Sequence, residues 1–185
     1  MRFTHGRGLR GFTLIELLVV VAILGILATV ALLALNPAEA QRKTRDATRI
    51  SDVGTLRKAI DLAVSEGENL PGTTAAPFTG SSTGSRSSSD GANNWVGMDV
   101  SKWLSVLPID PRQNATDTTR LSDGTTELAA GGVVYTFTSN GDTYELNAYL
   151  ESTDNTAVVA NDGGNQNLRY EIGTNPGLIL SATNP

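Results

Sequence analysis

The chain is 185 residues long and holds no cysteine, and its 14 basic against 19 acidic residues give a formal charge of −5 at neutral pH. That length leaves room for one small globular domain beside any long helix, and no disulfide can frame it. The acidic balance, with no basic aromatic patch, argues against direct nucleic-acid binding as the main task of this chain.

The first ten residues, MRFTHGRGLR, carry Arg2, Arg7 and Arg10 and no acid. Residues 12–35 follow as 24 positions with a single charge, Glu16, and no proline. A helix of that length runs about 36 Å, enough to cross the hydrocarbon of a bilayer. A basic head before an apolar run is also the pattern of a secretory signal. An ordinary signal core is only about 7–15 residues, however, and no small-x-small cleavage site follows this one. The polar-to-apolar break falls instead at Gly11–Phe12.

Glu16 is the odd residue of the span. A carboxylate at mid-bilayer costs roughly 2.5–3.5 kcal/mol on insertion scales, and less near an end. Sitting four residues into the span, it can snorkel to the interface, or it can take a cation as partner. Cutting the chain after Gly11 would create such a cation, the α-amino group of Phe12. An amine and a carboxylate one helical turn apart suit pairing between staggered neighbours in an apolar bundle.

Gly11-Phe12-Thr13-Leu14-Ile15-Glu16-Leu17, behind its short basic leader, resembles the N-terminal signature of type IV pilins and pseudopilins. These are the subunits of type IV pili and of type II secretion filaments. The resemblance implies cleavage by a prepilin peptidase between Gly11 and Phe12, N-methylation of Phe12, and a Glu16 contact with the Phe12 amine of an adjacent subunit. It implies a pilin fold of α+β class, a long N-terminal helix packed on a small antiparallel sheet. The expected partners are other pilins or pseudopilins in a polymer, the peptidase, an inner-membrane assembly platform, and the lipid bilayer before assembly. The expected location is the inner membrane, single-pass with the head outside, and then a surface or periplasmic filament. Loss of the leader would leave 11 basic residues against 19 acidic ones. Many adhesive type IV pilins close a C-terminal loop with a disulfide; the absence of cysteine leans toward cysteine-poor pseudopilins or pilins of other bacterial groups.

Beyond the span, Pro37 removes a helical hydrogen bond and is expected to kink the helix or end it. Ile50, Val53, Ile60 and Val64, with Ala47, Leu56 and Ala63 beside them, recur at three- and four-residue steps. Gly67 suits a C-terminal cap. The expectation is one helix from about Phe12 to Glu66, bent near Pro37, with its second half laying one stripe on a head. Gly25, Ala28 and Thr29 either permit close helix approach or are ordinary small residues of a membrane helix. Arg42, Lys43, Arg45 and Arg49 read as a solvated face, or as a lipid-headgroup or subunit contact.

Residues 67–94 are Gly, Ser, Thr, Asn or Pro at 20 of 28 positions, which predicts a surface loop, partly disordered. Gly80-Ser81-Ser82-Thr83-Gly84 fits the G-x-S-x-G spacing of hydrolase nucleophiles. It lacks the strand–turn–helix setting and a histidine, His5 in the leader being the chain's one histidine. Met98–Leu107 predicts a short amphipathic helix starting near Asp99. The stretch Leu107-Pro108-Ile109-Asp110-Pro111 then stops it and resembles the turn before the sheet of major pseudopilins.

Val133–Thr138 and Thr143–Leu150 predict a hairpin around Asn140-Gly141, with Tyr135, Phe137, Tyr144, Leu146, Ala148 and Leu150 on its buried face. Two short apolar runs, Leu168–Ile172 and Leu178–Leu180, are candidate edge strands. Asn114-Ala115-Thr116 is a formal glycosylation tripeptide, for which chance is the default. Oxygen-rich residues of the tail include Asp154 and Asp162. The resemblance suggests calcium in a C-terminal loop, although no EF-hand spacing is present and such clusters also make simple turns.

The organisation expected is a leader over 1–11, an apolar helix over 12–35, its amphipathic continuation over 36–66, a Gly/Ser/Thr-rich loop over 67–98 and a head over 99–185. Without the leader the chain has neither histidine nor cysteine, which removes most nucleophile–base pairs. Assembly is therefore expected rather than catalysis, with no cofactor. The alternative is a membrane-anchored binding domain that never polymerises.

Overall fold

The structure is a computed structural model and describes residues 11–91 and 93–178, with side chains of 33–35 left aside. Residues 1–10 of the leader, with His5, and residues 179–180 of the last candidate strand lie outside the described residues. Two compact units divide after Ala40.

In the N-terminal unit, α1 (Leu14–Leu35) is apolar on every side, and each of its described side chains is exposed. It is long and apolar enough to cross a membrane. The single bent helix expected over 12–66 is instead two helices. Asn36 adopts left-handed φ/ψ of 39° and 72° and ends α1, and Pro37 opens α2 (Pro37–Ser65). Asn36 also starts α2: its Oδ1 accepts the Glu39 N–H at 3.3 Å, and its carbonyl accepts those of Glu39 and Ala40. Proline at a first helical position loses nothing, because its missing N–H would have had no partner there. The interruption therefore belongs to Asn36 as much as to Pro37.

In the head unit, α2 buries Asp46, Arg49, Val53, Leu56, Ala59, Ile60 and Ala63. The stripe is narrower than its apolar pattern suggests, since Ala47 and Val64 stay exposed. It ends as expected on Gly67, at φ 103°, with Glu68 N–H reaching back to the Ala63 carbonyl at 3.0 Å.

The stripe packs on an antiparallel sheet of order β1-β4-β5-β6: Phe78–Ser81, Thr136–Ser139, Tyr144–Tyr149 and Arg169–Gly173. Tyr135, Phe137, Tyr144, Leu146 and Ala148 meet it there, as the alternation predicts. The hairpin loop is closed by Asn140, whose Oδ1 accepts the N–H groups of Asp142 and Thr143. A two-stranded ribbon, β2 (Thr119–Arg120) with β3 (Glu127–Leu128), sits over a second small core of Leu121, Leu128, Val133 and Tyr149. A 3₁₀ turn at Thr153–Asn155 leads into α3 (Thr156–Ala160).

Two local expectations are corrected. The polar stretch 67–94 is not a detached loop: it supplies β1, and Ser82, Ser88 and Asn94 are buried. Its small residues allow backbone to pack on backbone; a Cβ at Gly80 would collide with the Trp95 carbonyl. Nor do residues 98–107 form a helix. One turn closes on the Val100 carbonyl, which accepts Trp103 and Leu104 N–H. The rest of the segment spends its backbone groups on the serine loop: Leu107 N–H donates to the Arg86 carbonyl, and Ser88 Oγ to that of Ser105. Its apolar residues Val100 and Leu107 still enter the main core.

Candidate functional site

Gly11, Phe12 and Glu16, the residues expected to carry processing and assembly, stand at the start of α1. Phe12 is 86% exposed beside Gly11, around which an added Cβ would meet nothing within 4 Å. Thr13 caps the helix. Its Oγ1 accepts the Glu16 N–H at 3.2 Å, and the Glu16 carboxylate accepts both Thr13 N–H at 2.8 Å and Thr13 Oγ1 at 2.7 Å. This reciprocal capping box satisfies donors at the helix start that would otherwise lack partners, and it places the anion at the positive end of the helix dipole. The carboxylate thus has a local partner in Thr13, which is not a cation. Its sequence signal is the spacing Thr13-x-x-Glu16.

Further along α1, Thr29 Oγ1 donates to the Gly25 carbonyl at 2.9 Å within the same helix. No atom lies within 4 Å of a Cβ placed on Gly25, so the small-residue face is open. Thirteen large apolar side chains from Leu14 to Leu32 are exposed. At roughly 1.5–3 kcal/mol for covering each of them, the helix carries roughly 20–40 kcal/mol of unrealised burial. That exceeds the net stability of a typical domain, about 5–15 kcal/mol.

The basic run after the span divides. Lys43, exposed, pairs with Asp154 at 2.5 Å. Arg49 is fully buried: Nε and Nη2 grip Asp110 at 2.7 and 3.0 Å, while Nη1 reaches Asp46 at 2.9 Å and Glu151 at 2.7 Å. Arg45 forks onto Glu151 at 2.8 and 2.5 Å. Asp46 also accepts the N–H groups of Glu151 and Ser152 and the amide of Asn155. The Asp110 of the Pro-x-Asp-Pro turn is therefore an anchor for α2. Burial alone would raise the Glu151 carboxyl; the guanidinium groups of Arg45 and Arg49 outweigh it and hold the carboxyl below its ordinary range. Burial likewise opposes the Arg49 charge, and Asp110 and Glu151 more than restore it.

Two phenols extend this seam. Tyr135 donates to Asp52 at 3.0 Å, and Tyr144 to Asp61 at 2.5 Å. Burial is the first cause that raises both phenols above their ordinary range, and the same cause raises Asp52.

The two calcium candidates, Asp154 and Asp162, are not brought together as ligands. Asp154 is taken by Lys43, and both Asp162 oxygens accept main-chain N–H groups, those of Gly164 and Glu171. Among the described residues no group of three or more acidic or histidine side chains is placed to hold a metal. Ser82 of the G-x-S-x-G match is buried, with its Oγ bonded to Gln113 and to Tyr135 N–H.

Residues 7–32 match the family model of the prokaryotic N-terminal methylation motif. Over 61 residues the chain is 41% identical to a fimbrial protein of Pseudomonas aeruginosa, covering 33% of this chain and 38% of that protein. A second fimbrial protein of the same organism matches to the same extent. The chain thus spans 38% of the length of these curated relatives. No solved structure matches the chain. Both findings support the type IV pilin family, and the head is an α+β arrangement of pilin-like kind.

Proposed function

We propose that this chain is a structural subunit of a type IV filament, cut by a prepilin peptidase between Gly11 and Phe12 and methylated on the new amine. The subunit waits in the inner membrane with its head outside, then polymerises through α1 at an assembly platform. Its work is assembly rather than catalysis and calls for no bound cofactor. The observation that carries this reading is α1 itself: a helix with no buried face, headed by the methylation motif. Lipid covers that face before assembly, and neighbouring α1 helices cover it afterwards. In the polymer Glu16 exchanges its Thr13 contacts for the Phe12 amine of an adjacent subunit, which sets the register between them. The fimbrial relatives favour a pilus, while Leu107-Pro108-Ile109-Asp110-Pro111 and the lack of cysteine favour a secretion filament.

The test expresses the full chain with a prepilin peptidase, alongside Glu16→Ala. Intact mass and N-terminal sequencing read the processing, and imaging of sheared surface material reads the polymer. The expected chain begins at methylated Phe12 and forms filaments that the Glu16→Ala chain does not. A chain retaining its leader and anchored singly in the membrane overturns the reading in favour of a tethered binding domain.

A further inference from the structure

The sheet has a second face, turned away from α2, and it is polar and buried. Register places Thr136 of β4, Asn147 of β5 and Glu171 of β6 in one row, with Thr138 and Glu145 in the next. Glu145 and Glu171 are both fully buried. Each has an oxygen held by the main chain of the C-terminal segment: Leu178 N–H donates to Glu145 Oε2 at 2.6 Å, and Gln166 N–H to Glu171 Oε2 at 2.7 Å. Asn147 Nδ2 donates to Glu145 Oε1 at 2.7 Å. Two buried acceptors are then left without a donor, Glu171 Oε1 and Asn147 Oδ1, and the hydroxyls of Thr136 and Thr138 also lack partners.

The charged groups that share this face do not cure the deficit. Asp162, from the turn after α3, adds a third carboxylate, and its Oδ2 accepts the Glu171 N–H at 2.8 Å. Arg169, two residues before Glu171 on β6, turns its guanidinium over the Tyr149 ring at 4.8 Å, and its Nε donates to the Tyr149 hydroxyl. A single proton on the Glu pair supplies the hydrogen that Glu171 Oε1 lacks, while Asn147 Oδ1 stays without a donor. Two buried carboxylates side by side do not both ionise at low cost.

We propose that a proton on Glu171, shared toward the Glu145 carboxylate, forms a pH-sensitive latch that holds the segments flanking β6, residues 162–168 and 174–178, over the sheet. The inference stands on the head alone and is independent of the filament reading. Burial pushes the Glu171 carboxyl up to about 7; the Gln166 N–H pulls it back, and the charges of Glu145 and Asp162 add to the rise. In an opened segment Glu171 returns to its ordinary value of about 4.3. The closed state therefore binds more protons between those two values. Opening is constant below the lower one, grows about tenfold per pH unit up to about 7, and levels off above it.

The test is hydrogen exchange on the full chain in detergent micelles from pH 5 to pH 8, with intrinsic rates divided out. Peptides spanning 162–178 should lose about fortyfold in protection between pH 5 and pH 7 and little beyond, while peptides of α2 stay flat. Glu171→Gln, whose amide replaces the missing donor, should hold the pH 5 protection at every pH. A segment equally protected from pH 5 to pH 8, or a variant with the wild-type slope, overturns the latch. Should the variant not fold, ¹³C titration of the wild-type carboxyls decides. A Glu midpoint near 7 sustains the pair, and midpoints all in the ordinary range sink it. Millimolar calcium restoring protection at pH 8 in the wild type, but not in Glu171→Gln, would replace the shared proton with a metal.

Discussion

The helices α1 and α2 are both long, yet they answer to opposite solvents. Along α1 the described side chains are all exposed and, Glu16 and Thr29 aside, apolar, whereas α2 is mostly polar and buries only seven residues. Two of those seven are charged, Asp46 and Arg49, while the one charge of α1 stands in its first turn. The difference teaches where cohesion comes from. An all-round apolar helix must be covered by lipid or by other apolar surface. An amphipathic helix is held by its own chain, and here the hold is both apolar and ionic.

The hardest blow to that contrast is Arg49→Met. It leaves Asp46, Asp110 and Glu151 buried around an apolar side chain and removes four ion-pair or hydrogen-bond contacts. Breaking a buried pair from one side costs about 3–5 kcal/mol. Denaturant unfolding of the full chain in micelles, followed by tryptophan emission of the head, should show a loss of that size. Arg49→Lys should recover little, because an ammonium cannot fork onto Asp110. A loss under about 1 kcal/mol would reduce the cluster to a solvated surface.

A matched pair of leucines sharpens the comparison. Leu56 is fully buried and Leu24 is 58% exposed. Leu56→Ala should destabilise the head by about 2–5 kcal/mol in the same assay. Leu24→Ala should leave that transition in place and act instead on recovery of sheared filaments, where a neighbouring helix would otherwise fill the site. Equal effects of the two on head unfolding would erase the distinction.

What the sequence makes legible follows how locally each feature is written. The Gly11–Leu17 signature, the apolar run and the Tyr135–Leu150 alternation are each written in consecutive residues; the first lies within the matched methylation motif, and the other two appear in the structure as α1 and as the β4–β5 hairpin. The buried Arg49 is not so contained: its partner Asp110 lies 61 residues away, and a run of Arg and Lys on a helix is ordinarily a wetted face. Residues 98–107 have the right period for a helix, but hydrogen bonds to a distant serine loop outbid it. Similarly, β5 alternates in polarity as a half-exposed strand would, yet all six of its residues are buried, because the C-terminal segment covers the polar side. Nothing within β5 announces that cover. Glu145 and Glu171 were hidden by the same non-local fact.

The Thr13–Glu16 capping box is the smallest effect and the one that reaches α1 itself. Thr13→Val keeps the shape of the side chain and removes the hydroxyl that both accepts the Glu16 N–H and donates to its carboxylate. Loss of such a cap costs about 1 kcal/mol. The first turn of α1 should fray about fivefold more readily, read as faster amide exchange at Glu16 and Leu17 in micelles. Thr13→Ser retains the hydroxyl and should exchange as the parent does, and the head should not register either change. The comparison gains an asymmetry from this: α2 is anchored by groups up to about a hundred residues away, whereas among the described residues the charge of α1 is held by its own first turn. If Thr13→Val left exchange at Glu16 unchanged, the carboxylate would have to be satisfied by the interface, and the capping box would be incidental to the helix start.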